Sequence, residues 1–134
     1  MPVLEMDNLK ARLAGYGLFV QGMIEKSRQA LVAECTSLIA RHQPMARDLR
    51  TILMVLGITN DLERIADHAV NIAAAVGDHI GGPSLKPGGF TTEEAALKIA
   101  GNLERIADLS TNIGEDVIYM TEGRVIKHHL EEEG

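Results

Sequence analysis

Two segments of this chain repeat a charged spelling that an aliphatic helix does not require. "NDLERIADHAVNIA" occupies residues 60–73 and "GNLERIADLSTNIG" residues 101–114. Aligned at an offset of 41, nine of the seventeen positions of 60–76 match those of 101–117. The shared Leu and Ile fit an apolar seam, but the shared Glu, Asp and Asn need another cause. Glu63, Asp67 and Asn71 lie four residues apart and stack along one side of a helix, as do Glu104, Asp108 and Asn112. At about 100° per residue, the first acid of each stripe sits about 100° from its seam and the second about 140°. The stripes therefore face a flank or water. Like charges at this spacing repel by about 0.2–0.5 kcal/mol, and a bound cation reverses the sign. Carboxylate and amide oxygens suit hard cations, iron or manganese better than metals that prefer thiolate. The alternative is a solvated charged face, with Arg64 paired to Asp61 or Asp67 and Arg105 to Asp108.

The elements that carry these stripes are legible from apolar spacing. Leu9, Leu13, Tyr16, Val20, Met23, Leu31, Cys35 and Leu38 step by threes and fours or their sums, which predicts a helix over 5–42. Gly15, Gly17 and Gly22 either weaken that helix or mark the close approach of another. Pro44 suits the first turn of a second helix, predicted over 44–76, with Val55, Ile58, Leu62, Ile65, Ala69, Ile72 and Val76 as its seam. Residues 77–90 contain five Gly and two Pro and predict a flexible connector. Thr91 and Glu94 form a capping-box pattern for a third helix over 91–123. Its seam runs Ala96, Ile99, Leu103, Ile106, Ser110, Ile113, Val117 and Met120. The expectation is an all-α fold, an up-down bundle of three long helices in one domain, residues 1–134.

Composition agrees and narrows the function. Hydrophobic residues make up 46% and aromatic residues only 3%, so the core must be aliphatic. A net charge of −6 opposes phosphate backbones, so no nucleic-acid partner is expected, and any membrane contact is peripheral at most. The single cysteine, Cys35, excludes an internal disulfide and fits a core position. The N-terminus lacks a signal-peptide pattern, and a cytoplasmic location is expected. The five histidines are scattered, with solvated imidazoles as the default and no Glu-x-x-His pair of the di-iron type. Arg47, Asp48 and Arg50 could bind a phosphate or a partner's acid, and helix-start salt bridges are the favoured expectation. No arrangement of nucleophile and base is visible, and the chain is not expected to be an enzyme.

Two longer stretches carry a family resemblance. "LIARHQPMARDLRTILMVLGITNDLERIADHAVNIA" (residues 38–73) resembles the first repeat of the PhoU family, with its Pro-x-Ala-Arg-Asp-Leu-Arg run leading to a Leu-Glu-Arg-Ile-x-Asp helix. "NLERIADLSTNIGEDVIYMTEGRVIKH" (residues 102–128) looks like the matching helix of the second repeat. The resemblance implies an all-helical accessory protein that negatively regulates the phosphate-starvation response. It would act between the ATPase of the phosphate ABC transporter and a membrane sensor histidine kinase. It also implies surface metal clusters, of iron or of another metal such as zinc or manganese. The corresponding ligands here are Glu63 with Asp67 and Glu104 with Asp108, and Asn71 and Asn112 lie nearby as neutral oxygen donors. Members carry two tandem three-helix repeats, so this chain resembles a shortened one, and a homodimer is expected to complete the bundle. Two other functions stay open: a carboxylate-ligated helical metalloenzyme and a purely structural helical module.

Overall fold

The computed structural model describes residues 2–79 and 91–122. Three long helices, α1 (Val3–His42), α2 (Arg47–His79) and α3 (Thr92–Glu122), follow one another in up-down order. Among the described residues there is no strand, and no helix is long and apolar enough to cross a membrane. Most of the connector expected over 77–90 lies outside the described residues, as do the end of the chain and His128 and His129.

The helix ends have local causes. Thr91 and Glu94 form the expected capping box: Glu94 N–H donates to Thr91 Oγ1 at 3.2 Å, and Thr91 N–H donates to Glu94 Oε2 at 2.7 Å. α1 ends where Gln43 turns into the left-handed region at φ 44°, its N–H donating to the Ile39 carbonyl at 3.1 Å. Ala46 also has positive φ, 53°, so α2 starts at Arg47 and not at Pro44. Arg50, expected in a helix-start salt bridge, lies over the Tyr119 ring at 5.5 Å and ties the start of α2 to the end of α3.

The three helices do not close around one core. α2 packs against α1 on one side and α3 on the other, while among the described residues α1 and α3 do not touch. On α2, Glu63, Asp67 and Val70 face α1, and Gly57, Asp61 and His68 lie toward α3. At about 100° per residue, these two directions are about 130° apart, so the helices form an open, bent layer. The buried apolar side chains among the described residues are Cys35, Ala66, Ala75, Ala95 and Leu109. Four of the five are small, which lets neighbouring helices approach closely.

The large seam residues come out elsewhere. On each helix the seam lies roughly one residue step, about 100°, from the line of closest helix contact. The seams of all three helices consequently emerge on the same side of the layer. Leu62 is 49% exposed and Leu103 54%, and Leu9, Tyr16 and Met23 are exposed as well. On that side an open groove of about 600 Å³ runs between α1 and α2, floored by Leu13, Val20, Leu31, Leu62, Ile65 and Ala69. Seams of this length must pack on one another or on a second copy, and within the described residues they leave the first option largely unused. Small flank residues, with Cys35 of the α1 seam, make the contacts between helices, and most of the large aliphatic side chains form an outer face.

The glycines of α1 divide the same way. A Cβ at Gly17 would sit 3.7 Å from Ala73 and Val70, whereas Gly15 and Gly22 face open space. Only Gly17 marks a close approach. Replacing the exposed Gly22 with Ala is expected to stabilise the protein by about 1 kcal/mol, the ordinary difference in helix propensity. A urea titration checks this: the midpoint should rise with no change in slope.

Candidate functional site

The two acidic stripes lie on the side of the layer opposite the aliphatic seams, and the fold gives them different surroundings. Glu63 and Asp67 sit in the crevice between α1 and α2. Glu63 Oε2 is ion-paired with Arg28 Nε, and both side chains are half-buried. Arg28 also meets Glu25 at 3.4 Å, and its Nη1 donates to Asn60 Oδ1 at 3.4 Å. Gln21 Nε2 donates to Asp67 Oδ1 at 2.5 Å. Each of these two acids on α2 thus has a partner supplied by α1.

The electrostatics follow from this crowding. Burial pushes the Glu63 carboxyl above the ordinary glutamate range, and the hydrogen-bonded Glu25 adds to the push while Arg28 opposes it. Glu25 is held below that range, chiefly by its hydrogen bond from Arg28. Three carboxylates share one guanidinium and two amides, those of Gln21 and Gln29, so Arg28 is the group that lets α1 and α2 meet along this line.

Asn71 turns to the other neighbour. Its Nδ2 donates to Asn102 Oδ1 at 3.4 Å, and His68 Nδ1 meets the same oxygen at 2.9 Å. Asn102 Nδ2 donates to the Lys98 carbonyl at 2.8 Å. That bond fixes the amide orientation, leaving Oδ1 as an acceptor and Nδ1 as the protonated nitrogen of His68. His68 is therefore a structural imidazole at the α2–α3 contact and not a solvated one. The repeat conceals Asn102, which occupies the place of Asp61 and breaks the acidic match. The signal was its position, seven residues from Leu109 and Ala95 on the buried line of α3.

Glu104, Asp108 and Asn112 remain together and exposed. With Arg64, Arg105 and Gly101 they line an open polar cleft of about 490 Å³ between α2 and α3. Arg64 approaches Asp61 at 3.9 Å, one of the two pairings expected for a solvated face. The structure thus separates the two stripes: each has its own crevice and its own cations. Among the described residues, no three His, Cys, Asp or Glu side chains converge to hold a metal ion. On the α2 stripe, Glu63 Oε2 is paired with Arg28 and Asp67 Oδ1 accepts from Gln21, so both acids are already committed to the contact with α1. The α3 stripe offers two carboxylates and an amide on one face, beside two guanidinium groups.

A further carboxylate lies farther along α3. A Cβ at Gly57 would come 3.4 Å from Asp116 Oδ2, so the absent side chain makes room for this acid. Burial raises the Asp116 pKa, and the nearby charges of Asp61 and Glu115 raise it further. The folded-state value lies above the unfolded one, so ionised Asp116 destabilises the fold at neutral pH. That cost disappears as pH falls through the folded value toward the unfolded one, about 3.9. Asp116→Asn should therefore melt higher than the parent at pH 7, and the two melting temperatures should converge near about pH 3.5.

Comparison with known proteins bears on the family. Residues 21–76 match the family described as the PhoU domain. The chain belongs to the PhoU family. It is 30% identical over 104 residues to a phosphate-specific transport system accessory protein PhoU homolog of Deinococcus radiodurans, covering 78% of this chain and 45% of that protein. A similarly named protein of Thermotoga maritima is 34% identical over 68 residues, covering 51% of this chain and 29% of the relative. One from Burkholderia is 50% identical over 40 residues, 30% of this chain and 17% of the relative. This PhoU chain spans less than half the length of the curated relatives it matches. No solved structure gives a significant match. The domain match begins at Gln21 and ends at Val76, so it takes in Arg28, Glu63, Asp67 and Asn71, the residues that join α1 to α2 and α2 to α3.

Proposed function

We propose that this PhoU chain is a cytoplasmic accessory regulator of phosphate uptake that restrains the phosphate-starvation response by protein–protein contact. Its partners in this reading are the ATPase of the phosphate ABC transporter and a membrane sensor histidine kinase, with a homodimer as the working form. The observation that carries the reading is the PhoU domain match over 21–76, joined to relatives named for phosphate-specific transport. The layer's chemistry is consistent with it: one broad side is aliphatic and open, a surface suited to other helices. Pull-down of the transporter ATPase and of the kinase with purified chain tests it. Capture of either at micromolar concentration supports the reading. Failure to capture both, with unchanged phosphate-starvation signalling on deletion, removes it.

A second reading concerns metal. The α3 stripe keeps Glu104, Asp108 and Asn112 exposed in one cleft, and a hard cation such as iron or manganese is the guest this set suits. Elemental analysis of protein grown with iron, zinc and manganese is the measurement. Glu104→Ala/Asp108→Ala should lose any bound metal, while Glu63→Ala/Asp67→Ala, whose oxygens already have partners, should retain it. Equal metal content in the first variant and the parent places the cation elsewhere.

A further inference from the structure

α1 carries a second stripe, distinct from its contact with α2, whose chemistry is complementary to itself. The helix meets α2 through Gly17, Gln21 and Arg28. At about 100° per residue, the positions about 140° away from that line recur at the spacing of a heptad repeat. Three large residues occupy the N-terminal half of this stripe. Tyr16 is 68% exposed, Phe19 66%, and Met23 is exposed beside them. Two of the chain's four Phe and Tyr residues thus stand within one turn of an outward helix face, where aromatic side chains act as interface anchors.

The stripe becomes informative when it is read backwards from Met23. Seven residues before Met23 is Tyr16 and seven after is Ala30; four before is Phe19 and four after is Ser27. Each bulky residue has a small one as its mirror. Eleven residues before Met23 is Arg12 and eleven after is Glu34; eighteen before is Glu5 and eighteen after is Arg41. Each charge has the opposite charge as its mirror. All four of these charged side chains are exposed, and among the described residues none of them is ion-paired within the chain.

A two-fold contact demands this kind of symmetry, because residue i meets residue j of the copy while j meets i. We propose that α1 is the dimerisation helix, and that it packs antiparallel against α1 of a second copy about an axis at Met23. Arg12 then meets Glu34 of the other copy, Glu5 meets Arg41, Tyr16 sits over Ala30 and Phe19 over Ser27. A parallel pairing would instead stack Tyr16 on Tyr16 and set every charge against itself. The heptad spacing gives the pair a shallow left-handed crossing. The acidic stripes face away from this contact, so a chain of charge −6 can approach its copy without setting its Glu- and Asp-rich side against the other. The proposal rests on the homodimer reading given above and adds the surface and orientation of the contact.

Sedimentation velocity over a concentration series tests both and separates them. Arg12→Glu alone and Glu34→Arg alone should each raise the dimer dissociation constant about tenfold, because each change turns two symmetric attractions into repulsions. The double variant Arg12→Glu/Glu34→Arg should restore the parent value. A parent chain that stays monomeric at high micromolar concentration overturns the homodimer reading and this contact together. A dimer whose constant ignores the single swaps overturns this contact alone. Oxidative crosslinking is independent of charge: Met23→Cys, on the axis, should form a covalent dimer, whereas Thr36→Cys, off the stripe, should not. Equal crosslinking of the two variants counts against an axis at Met23.

Discussion

Leu109→Ala is expected to destabilise the protein by about 3 kcal/mol. Leu109 is 3% exposed and is the one large aliphatic side chain among the buried apolar residues of the described structure. The other buried apolar positions are alanines and Cys35, which hold helices close but offer little apolar area for each residue ordered. Truncating Leu109 therefore removes the largest apolar side chain buried between α2 and α3. The adjoining polar cleft limits how far the helices can collapse into the gap. Against a typical total of about 5–15 kcal/mol, this is a large fraction. Urea unfolding followed by circular dichroism measures it. Leu97→Ala is the control, since Leu97 is exposed on the same helix and should cost little. A Leu109 loss below about 1 kcal/mol would mean that α3 does not seat on α2 through this line.

Asn102→Ala is expected to cost about 2 kcal/mol through polar groups left without partners. Asn102 is buried, and its oxygen accepts from both His68 and Asn71. Removing the amide strands the His68 Nδ1–H in a half-buried position and frees Asn71 at the same stroke. The Lys98 carbonyl loses its bond as well but can recover one from water near the helix surface. A double-mutant cycle with His68→Ala isolates the bond: the coupling should reach about 1 kcal/mol, with the second mutation costing little once the first is made. Additive losses would place His68 and Asn102 outside one network.

These two residues also mark how far sequence reading reached. Leu109 belongs to none of the apolar seams, yet it is more deeply buried than any seam residue of α3. The seam is the most continuous apolar line on that helix, and continuity is what periodicity detects. Burial between two helices instead selects the line where backbones can approach, and small side chains define that line: Gly17 against Ala73 on one side of α2, with Ala75 and Ala95 buried as well. Asn102 is hidden in the sequence for a related reason. A lone amide carries no pattern until its partners, 31 and 34 residues away, are placed beside it.

The doubled Leu-Glu-Arg-Ile-Ala-Asp shows the same division. Sequence placed Glu63, Asp67 and Asn71 on one side of α2 and Glu104, Asp108 and Asn112 on one side of α3, and off both seams. Those statements follow from 3.6 residues per turn and hold for any helix. Sequence likewise determined three long helices, the capping box at Thr91 and Glu94, the cysteine in a buried position, and membership in the PhoU family. Only the tertiary structure decided what each stripe meets. Arg28 and Gln21, 35 and 46 residues from the acids they engage, turn the α2 copy into part of a helix contact. Among the described residues the α3 copy has no helix on its far side, and it stays open beside Arg64 and Arg105. Equal spellings therefore end in unequal roles, because periodicity fixes where a side chain stands on its own helix, whereas its charge partner is set by which helix packs there.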